Sequence, residues 1–207
     1  MLKTETLSNQ LTTYRILAEL FRFPVEDYHG QAKTYQSLVS AAEKLEPKFL
    51  KLACKLEHSA KKATIEDLCE EYHRLFDPEG RQEFPYLHAH NYLNQEPDLC
   101  EYLSRIYESH EFGREFTAYA LDHLCNELDF IRHLNTRSLL MIEASKPSQA
   151  SEIQKFKCTF LRNHLIQWLP ELTKYIIFNS KSAYFLQLSI ITRTVLVNCI
   201  NRENNIN

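Results

Sequence analysis

Along most of the chain, apolar residues recur at intervals of three and four, the spacing that gathers them on one face of an α-helix. Leu11, Tyr14, Leu17, Ala18 and Phe21 make the first such stripe, and Pro24 stops it. A second helix is expected from Glu26 to Leu45. A third opens at Pro47, a residue suited to the first helical position, and carries Phe49, Leu50, Ala53 and Leu56. Thr64, with Asp67 three residues on, reads as the N-cap of a helix whose stripe is Ile65, Leu68, Cys69, Tyr72, Leu75 and Phe76. From Asp77 to Glu96 the periodicity fails. This stretch holds Pro78, Gly80 and Pro85 among Phe84, Tyr86, Leu87, Tyr92 and Leu93, so a long connection that packs down on the domain is expected there.

The helical pattern returns at Pro97, with Leu99, Leu103, Ile106 and Tyr107 facing inward, and frays near Gly113. The next helix is expected to open at Asp122 and to bury Leu121, Leu124, Cys125, Leu128, Ile131 and Leu134. A polar break over Glu143–Ser151 separates it from a helix bearing Phe156, Phe160, Leu161, Leu165 and Trp168, which Pro170 ends or kinks. ELTKYIIF and AYFLQLSIITRTVLVNCI supply two more helical stretches, although the second is β-branched enough to read as strand on periodicity alone. Together these segments predict an all-α, single-domain helical bundle of about eight or more helices. It spans residues 1–207, with 143–151 as the candidate hinge and 201–207 as a disordered tail.

Composition narrows the function. Three glycines leave no phosphate-binding G-x-x-x-x-G-K-[ST] or G-x-G-x-x-G, which excludes Walker-type and Rossmann nucleotide enzymes at the motif level. A net charge of −3 gives no broad footprint for nucleic acid. The N-terminal MLKTETLSNQ has no apolar signal region, and no run approaches the ~20 apolar residues of a membrane span, so a cytoplasmic protein without direct membrane insertion is expected. The six cysteines form no C-x-x-C and stand singly among apolar neighbours, the pattern of reduced, buried thiols.

Three constellations of polar residues carry candidate chemistry. Glu70-x-x-His73 has the spacing of one ligand pair of a carboxylate-bridged di-iron site. His88-Ala-His90, with Asp98 and Cys100 nearby in sequence, offers nitrogen, oxygen and sulfur donors for zinc. Asp122, His123 and Glu127 cluster at a helix start, with His123 and Glu127 on one face. Asp122 suits an N-cap or first-turn position, where a carboxylate satisfies free N–H groups. The same three residues suit a binding patch, and spacing alone leaves both readings open. A helical metal-dependent hydrolase using His88, His90, His123 and Glu127 is the enzymatic alternative.

Four stretches, in this order, resemble the TorD/DmsD/NarJ-type redox-enzyme maturation chaperones: AELFRFP (18–24), EEYHRLF (70–76) with FPYLHAHNYL after it, LDHLCNELDFIRHL (121–134), and FLRNHLIQWLPEL (160–172) followed by AYFLQLSIITRTVL. The chain departs from that family's pattern where Ala120-Leu121 precedes the Asp-His pair in place of a proline. It departs again after the Tyr107 helix, where Glu111 stands at a common glycine position. The resemblance implies a chaperone, not an enzyme, with no cofactor of its own. Its partner would be the precursor of a molybdopterin-containing oxidoreductase catalytic subunit, bound through a twin-arginine signal peptide until cofactor is inserted. The residues implied in peptide binding are Asp122 with Glu127 as negative charge for the guanidinium groups, His123 as a group tuned by pH, and Phe23, Tyr72, Leu75, Phe76, Pro85 and Tyr86 for an apolar trough. Monomers and helix-exchanging homodimers both occur in such a family, and weak GTP binding has been associated with it, although this chain shows no phosphate cradle.

Overall fold

Nine α-helices form among the residues described, 4–77, 85–93, 98–113 and 120–204 of a computed structural model. They are α1 (Thr4–Leu20), α2 (Ala32–Leu45), α3 (Pro47–Ala60), α4 (Ile65–Phe76), α5 (Leu99–Ser109), α6 (Leu124–Glu143), α7 (Pro147–Phe160), α8 (Ile166–Asn179) and α9 (Ala183–Asn204). No strand occurs among the described residues, so the protein is an all-α bundle. Helix neighbours close a circuit: α6 packs on α1 and α7, α1 on α2, α2 on α3, α3 on α9, and α9 on α8, which continues α7 through a π-helical turn at Leu161–Leu165.

Local chemistry sets several boundaries. Thr64 Oγ1 accepts the Asp67 N–H and Asp67 Oδ2 accepts the Thr64 N–H, each at 3.1 Å, a reciprocal box that opens α4. Pro47 and Pro147 occupy the first turns of α3 and α7, where a missing N–H costs nothing. α9 is a helix despite its β-branched content. Tyr184, Phe185, Leu188, Ile191 and Leu196 are buried around it, and Thr192 and Thr194 return their hydroxyls to Leu188 O and Ile190 O at 2.8 and 2.7 Å.

Several expected boundaries move. The second helix begins at Ala32, because Val25–Gly30 is a tight turn in which Val25 O accepts the His29 N–H at 2.9 Å. α6 begins at Leu124, two residues beyond Asp122. The polar break near 143–151 is a closed turn: Lys146 N–H donates to Met141 O (2.8 Å), Ser145 N–H donates to Ile142 O (3.0 Å), and Ser145 adopts φ 59°. This is a Schellman stop followed at once by α7. Pro170 lies inside α8 and does not end it, and the irregularity sits one turn upstream in the π-helical segment. α9 continues to Asn204, so four residues of the expected disordered tail are helical, and 205–207 lie outside the described residues. The expected helix start at Pro97, and 78–84 and 94–97 of the aromatic connection, also lie outside them.

A buried polar lock joins three helices. Lys157 is 1% exposed, and its Nζ donates to Asn135 Oδ1 (3.0 Å), Gln154 Oε1 (2.5 Å) and Gln10 Oε1 (3.3 Å). Gln154 in turn donates to Ser138 Oγ at 2.7 Å. These bonds fix α1, α6 and α7 against one another.

Candidate functional site

The start of α6 organises the polar centre. His123, not Asp122, is the N-cap: its Nδ1 accepts the Cys125 N–H at 3.1 Å. An unprotonated Nδ1 means a neutral ring, and burial, with the charge of His88 adding to it, pushes the His123 pKa well below its ordinary value. The expected capping role of Asp122 is thereby overturned, because a residue one position before the N-cap faces away from the free amides of the first turn.

Asp122 instead meets the segment Pro85–Leu93. His88 Nδ1 lies 3.0 Å from its Oδ1 and His90 Nδ1 2.6 Å from its Oδ2, while the His90 N–H donates to Oδ2 at 3.2 Å. The backbone adds a short antiparallel bridge between His88 and His123, in which the Ala89 N–H donates to Asp122 O at 2.9 Å. Asp122 is 1% exposed, the His88 side chain 12% and the His90 side chain 49%, so His90 forms the outer cover. Burial by itself would raise the Asp122 pKa. The hydrogen bonds and charge of His88, then the bonds from His90, outweigh it and hold this carboxyl well below the usual carboxylate range.

Glu127, one turn into α6, is fully buried and has its own partners. His164, from the π-helical turn, places Nε2 2.6 Å from Glu127 Oε1, and Trp168 Nε1–H donates to Oε2 at 3.2 Å. Burial would lower the His164 pKa, but the adjacent Glu127 carboxylate raises it. His123 and Glu127 therefore bond to different partners, one turn apart on α6. His164 and Trp168 are the partners that sequence reasoning missed, and only the concentration of polar and indole groups in HLIQW hinted at them.

The apolar candidates divide. Tyr72, Leu75 and Phe76 are fully buried, with Tyr72 Oη donating to Phe21 O at 3.0 Å. Phe23 is half-buried and packs edge-on against Tyr72, ring centroids 5.5 Å apart. Pro85 opens a 3-10 turn, and Tyr86 stacks on Tyr175 at 4.6 Å, which ties the Pro85–Leu93 segment to α8. The EEYHRLF helix end has an unforeseen role. Glu71 accepts both Arg74 Nε and Nη2 at 2.7 Å and also the backbone N–H groups of Lys181 (2.6 Å) and Ser182 (3.1 Å), so it ties α4 to the start of α9.

The metal readings made from sequence change as well. Among the described residues, the grouping of side chains able to hold a metal is His88, His90 and Asp122. The quartet His88, His90, His123 and Glu127 is not assembled, because Glu127 is turned toward His164 and His123 Nδ1 toward Cys125. Glu70, His73, Asp98 and Cys100 are not part of the grouping. The cysteines also differ from expectation: Cys125, Cys158 and Cys199 are buried, whereas Cys54 and Cys100 are exposed and Cys69 is intermediate.

Fold and site together define an all-helical protein whose polar centre joins an inter-helix segment to the start of a central helix. No helix among the described residues is long and apolar enough to cross a membrane. A family model described as "Nitrate reductase delta subunit" matches residues 33–174, more than half of the chain. The chain belongs to this family, whose members are chaperones in molybdoenzyme maturation and act with molybdoenzyme catalytic subunits. No curated protein and no solved structure matches it. His88, His90, Asp122, Glu127 and His164 all fall within the matched region, and Phe23 precedes it.

Proposed function

We propose that this protein is a cytoplasmic chaperone that binds the precursor of a molybdopterin-containing oxidoreductase catalytic subunit through its signal peptide and holds it until cofactor is inserted. The observation that carries the reading is the Asp122 carboxylate: ionised, shielded from water, and covered on its outer side by a half-exposed imidazole. An arginine guanidinium would donate to the Asp122 carboxylate by displacing His90 from Oδ2, while His88 stays on Oδ1. The apolar part of the peptide would follow Phe23, Val25 and Tyr86, which retain exposed surface. Tyr72, Leu75, Phe76, His123 and Glu127 support this surface from within the core and do not touch the ligand.

The test is affinity capture from the native host grown anaerobically, with mass spectrometry of the retained proteins. Enrichment of a molybdopterin oxidoreductase catalytic subunit with its leader uncleaved supports the reading and names the client. A clean capture without such a subunit, across several respiratory conditions, removes it. The residue assignment has its own check: a synthetic leader carrying paired arginines should bind the wild type and lose affinity about tenfold or more on Asp122→Asn, the loss expected for a charge-assisted contact.

A further inference from the structure

We propose that His88, His90 and Asp122 form a binding site for one divalent transition metal ion of the zinc class. Each of the three side chains offers one ligand atom, and these atoms lie within 4.8 Å of one another. The two segments that carry them are held together by the backbone as well as by side chains, through the His88–His123 bridge and the Ala89 N–H bond to Asp122 O. Donor placement is thus built into the fold before any ion arrives.

The donors are close enough to converge on a small ion. Imidazole nitrogen and carboxylate oxygen sit about 2.0–2.2 Å from zinc, which places two donors about 3.3 Å apart in a tetrahedral shell. The two imidazole nitrogens lie 3.0 and 2.6 Å from different oxygens of Asp122, so ligation turns the carboxylate and shifts the outer His90 ring until all three donors face one point. The ion takes the place of the protons that now bridge nitrogen and carboxylate, and those protons are released to water. Two nitrogens and one oxygen favour zinc, cobalt or nickel over calcium and magnesium, which prefer oxygen alone. The His90 N–H on Asp122 Oδ2 orients the carboxylate, and the His123 ring packs edge-on against His88, centroids 5.0 Å apart. Three protein ligands leave a position for water on the His90 side, where the site opens to solvent.

This site stands independently of the client. Full-length protein without a histidine tag, stripped by chelator, is titrated with Zn²⁺ against a chromophoric competitor and, in parallel, with Co²⁺. The expected result is one equivalent per chain with visible Co²⁺ absorption, and a loss of affinity of about tenfold or more in His90→Ala and in Asp122→Asn. His58→Ala, at an exposed position on α3, leaves binding unchanged. His90 is half-exposed, so its variant tests the site even where Asp122→Asn fails to fold. Binding below a tenth of an equivalent, or a loss smaller than tenfold in His90→Ala, overturns the proposal and assigns any bound metal to surface histidines.

Discussion

Within six residues at the start of α6, three ionisable side chains meet three unrelated sets of partners. Asp122 meets imidazoles from Pro85–Leu93, His123 caps its own helix, and Glu127 is sealed against His164 and Trp168. Sequence spacing could place them together but could not sort them, because His88 and His164 are 34 and 37 residues away from the acids they face. Only tertiary packing creates those pairs. The Glu127–His164 pair has consequences for stability. Removing one partner of a buried pair costs about 3–5 kcal/mol, so Glu127→Ala should lower the melting temperature on the order of 10 °C. The pH dependence has a definite sign. Burial raises the Glu127 pKa, while the Glu127 carboxylate raises that of His164 above 6.5, so the ionic contribution is present where Glu127 is ionised and His164 protonated and is lost as pH rises through the folded His164 value. Glu127→Gln removes the charge that raises it. Its melting deficit relative to wild type should be largest near about pH 6 and narrow toward about pH 9; a deficit that is constant or grows with pH counts against an ionic pair.

Helix ends show what was legible in the sequence and what was not. The Thr64–Asp67 box and the prolines opening α3 and α7 act through neighbours in sequence, and pattern reading finds them. The stops after α5 and α6 are equally local but lack their usual residue. Glu111 (φ 56°) and Ser145 (φ 59°) hold the left-handed position that glycine normally fills. After α5 the Phe112 N–H donates to Tyr107 O and the Glu111 N–H to Glu108 O, at 2.9 and 3.0 Å, and the Phe112 ring closes over Tyr107. The Glu111 position, visible in the sequence as a departure from the family pattern, is thus a full Schellman stop carrying a strained residue. Its contact with Arg137 is 3.5 Å long and the Glu111 side chain is 79% exposed, so little is lost with it. Glu111→Gly should therefore raise stability by about 0.5–1 kcal/mol, roughly 1–4 °C in melting temperature, whereas Glu111→Val should lower it. The link from α4 to α9 was not legible, since Glu71 meets amides more than a hundred residues on. In Glu71→Ala, hydrogen exchange at the Lys181 and Ser182 amides should quicken about tenfold or more while α1 and α6 keep their protection. Uniform acceleration throughout the chain would instead mean that Glu71 supports global stability and not this junction.

At the scale of the whole molecule, α1, α2, α3, α6, α7, α8 and α9 form a closed circuit, and the Asp122 centre joins its inter-helix segment to the start of α6 at one place on it. The chain carries net negative charge, and a twin-arginine leader is cationic, so long-range attraction and the local carboxylate agree in sign. Affinity for such a peptide should fall several-fold as added salt rises from about 0.05 to about 0.5 M, through slower association. The metal proposal places a second cation at the same carboxylate. Asp122 has two oxygens and almost no exposure, and ligation through His90 fixes the one side chain that a guanidinium must displace. Metal and arginine compete for the same carboxylate, and linkage requires each to weaken the other by the same factor. Peptide affinity should consequently be on the order of tenfold lower for zinc-loaded than for chelator-stripped protein, and peptide should release zinc to a competing chelator by the same factor. Asp122→Asn removes both effects together. Should the peptide bind with equal affinity in both states while zinc remains on His88 and His90, the arginines are recognised elsewhere, and the Asp122 centre serves to hold the Pro85–Leu93 segment against α6.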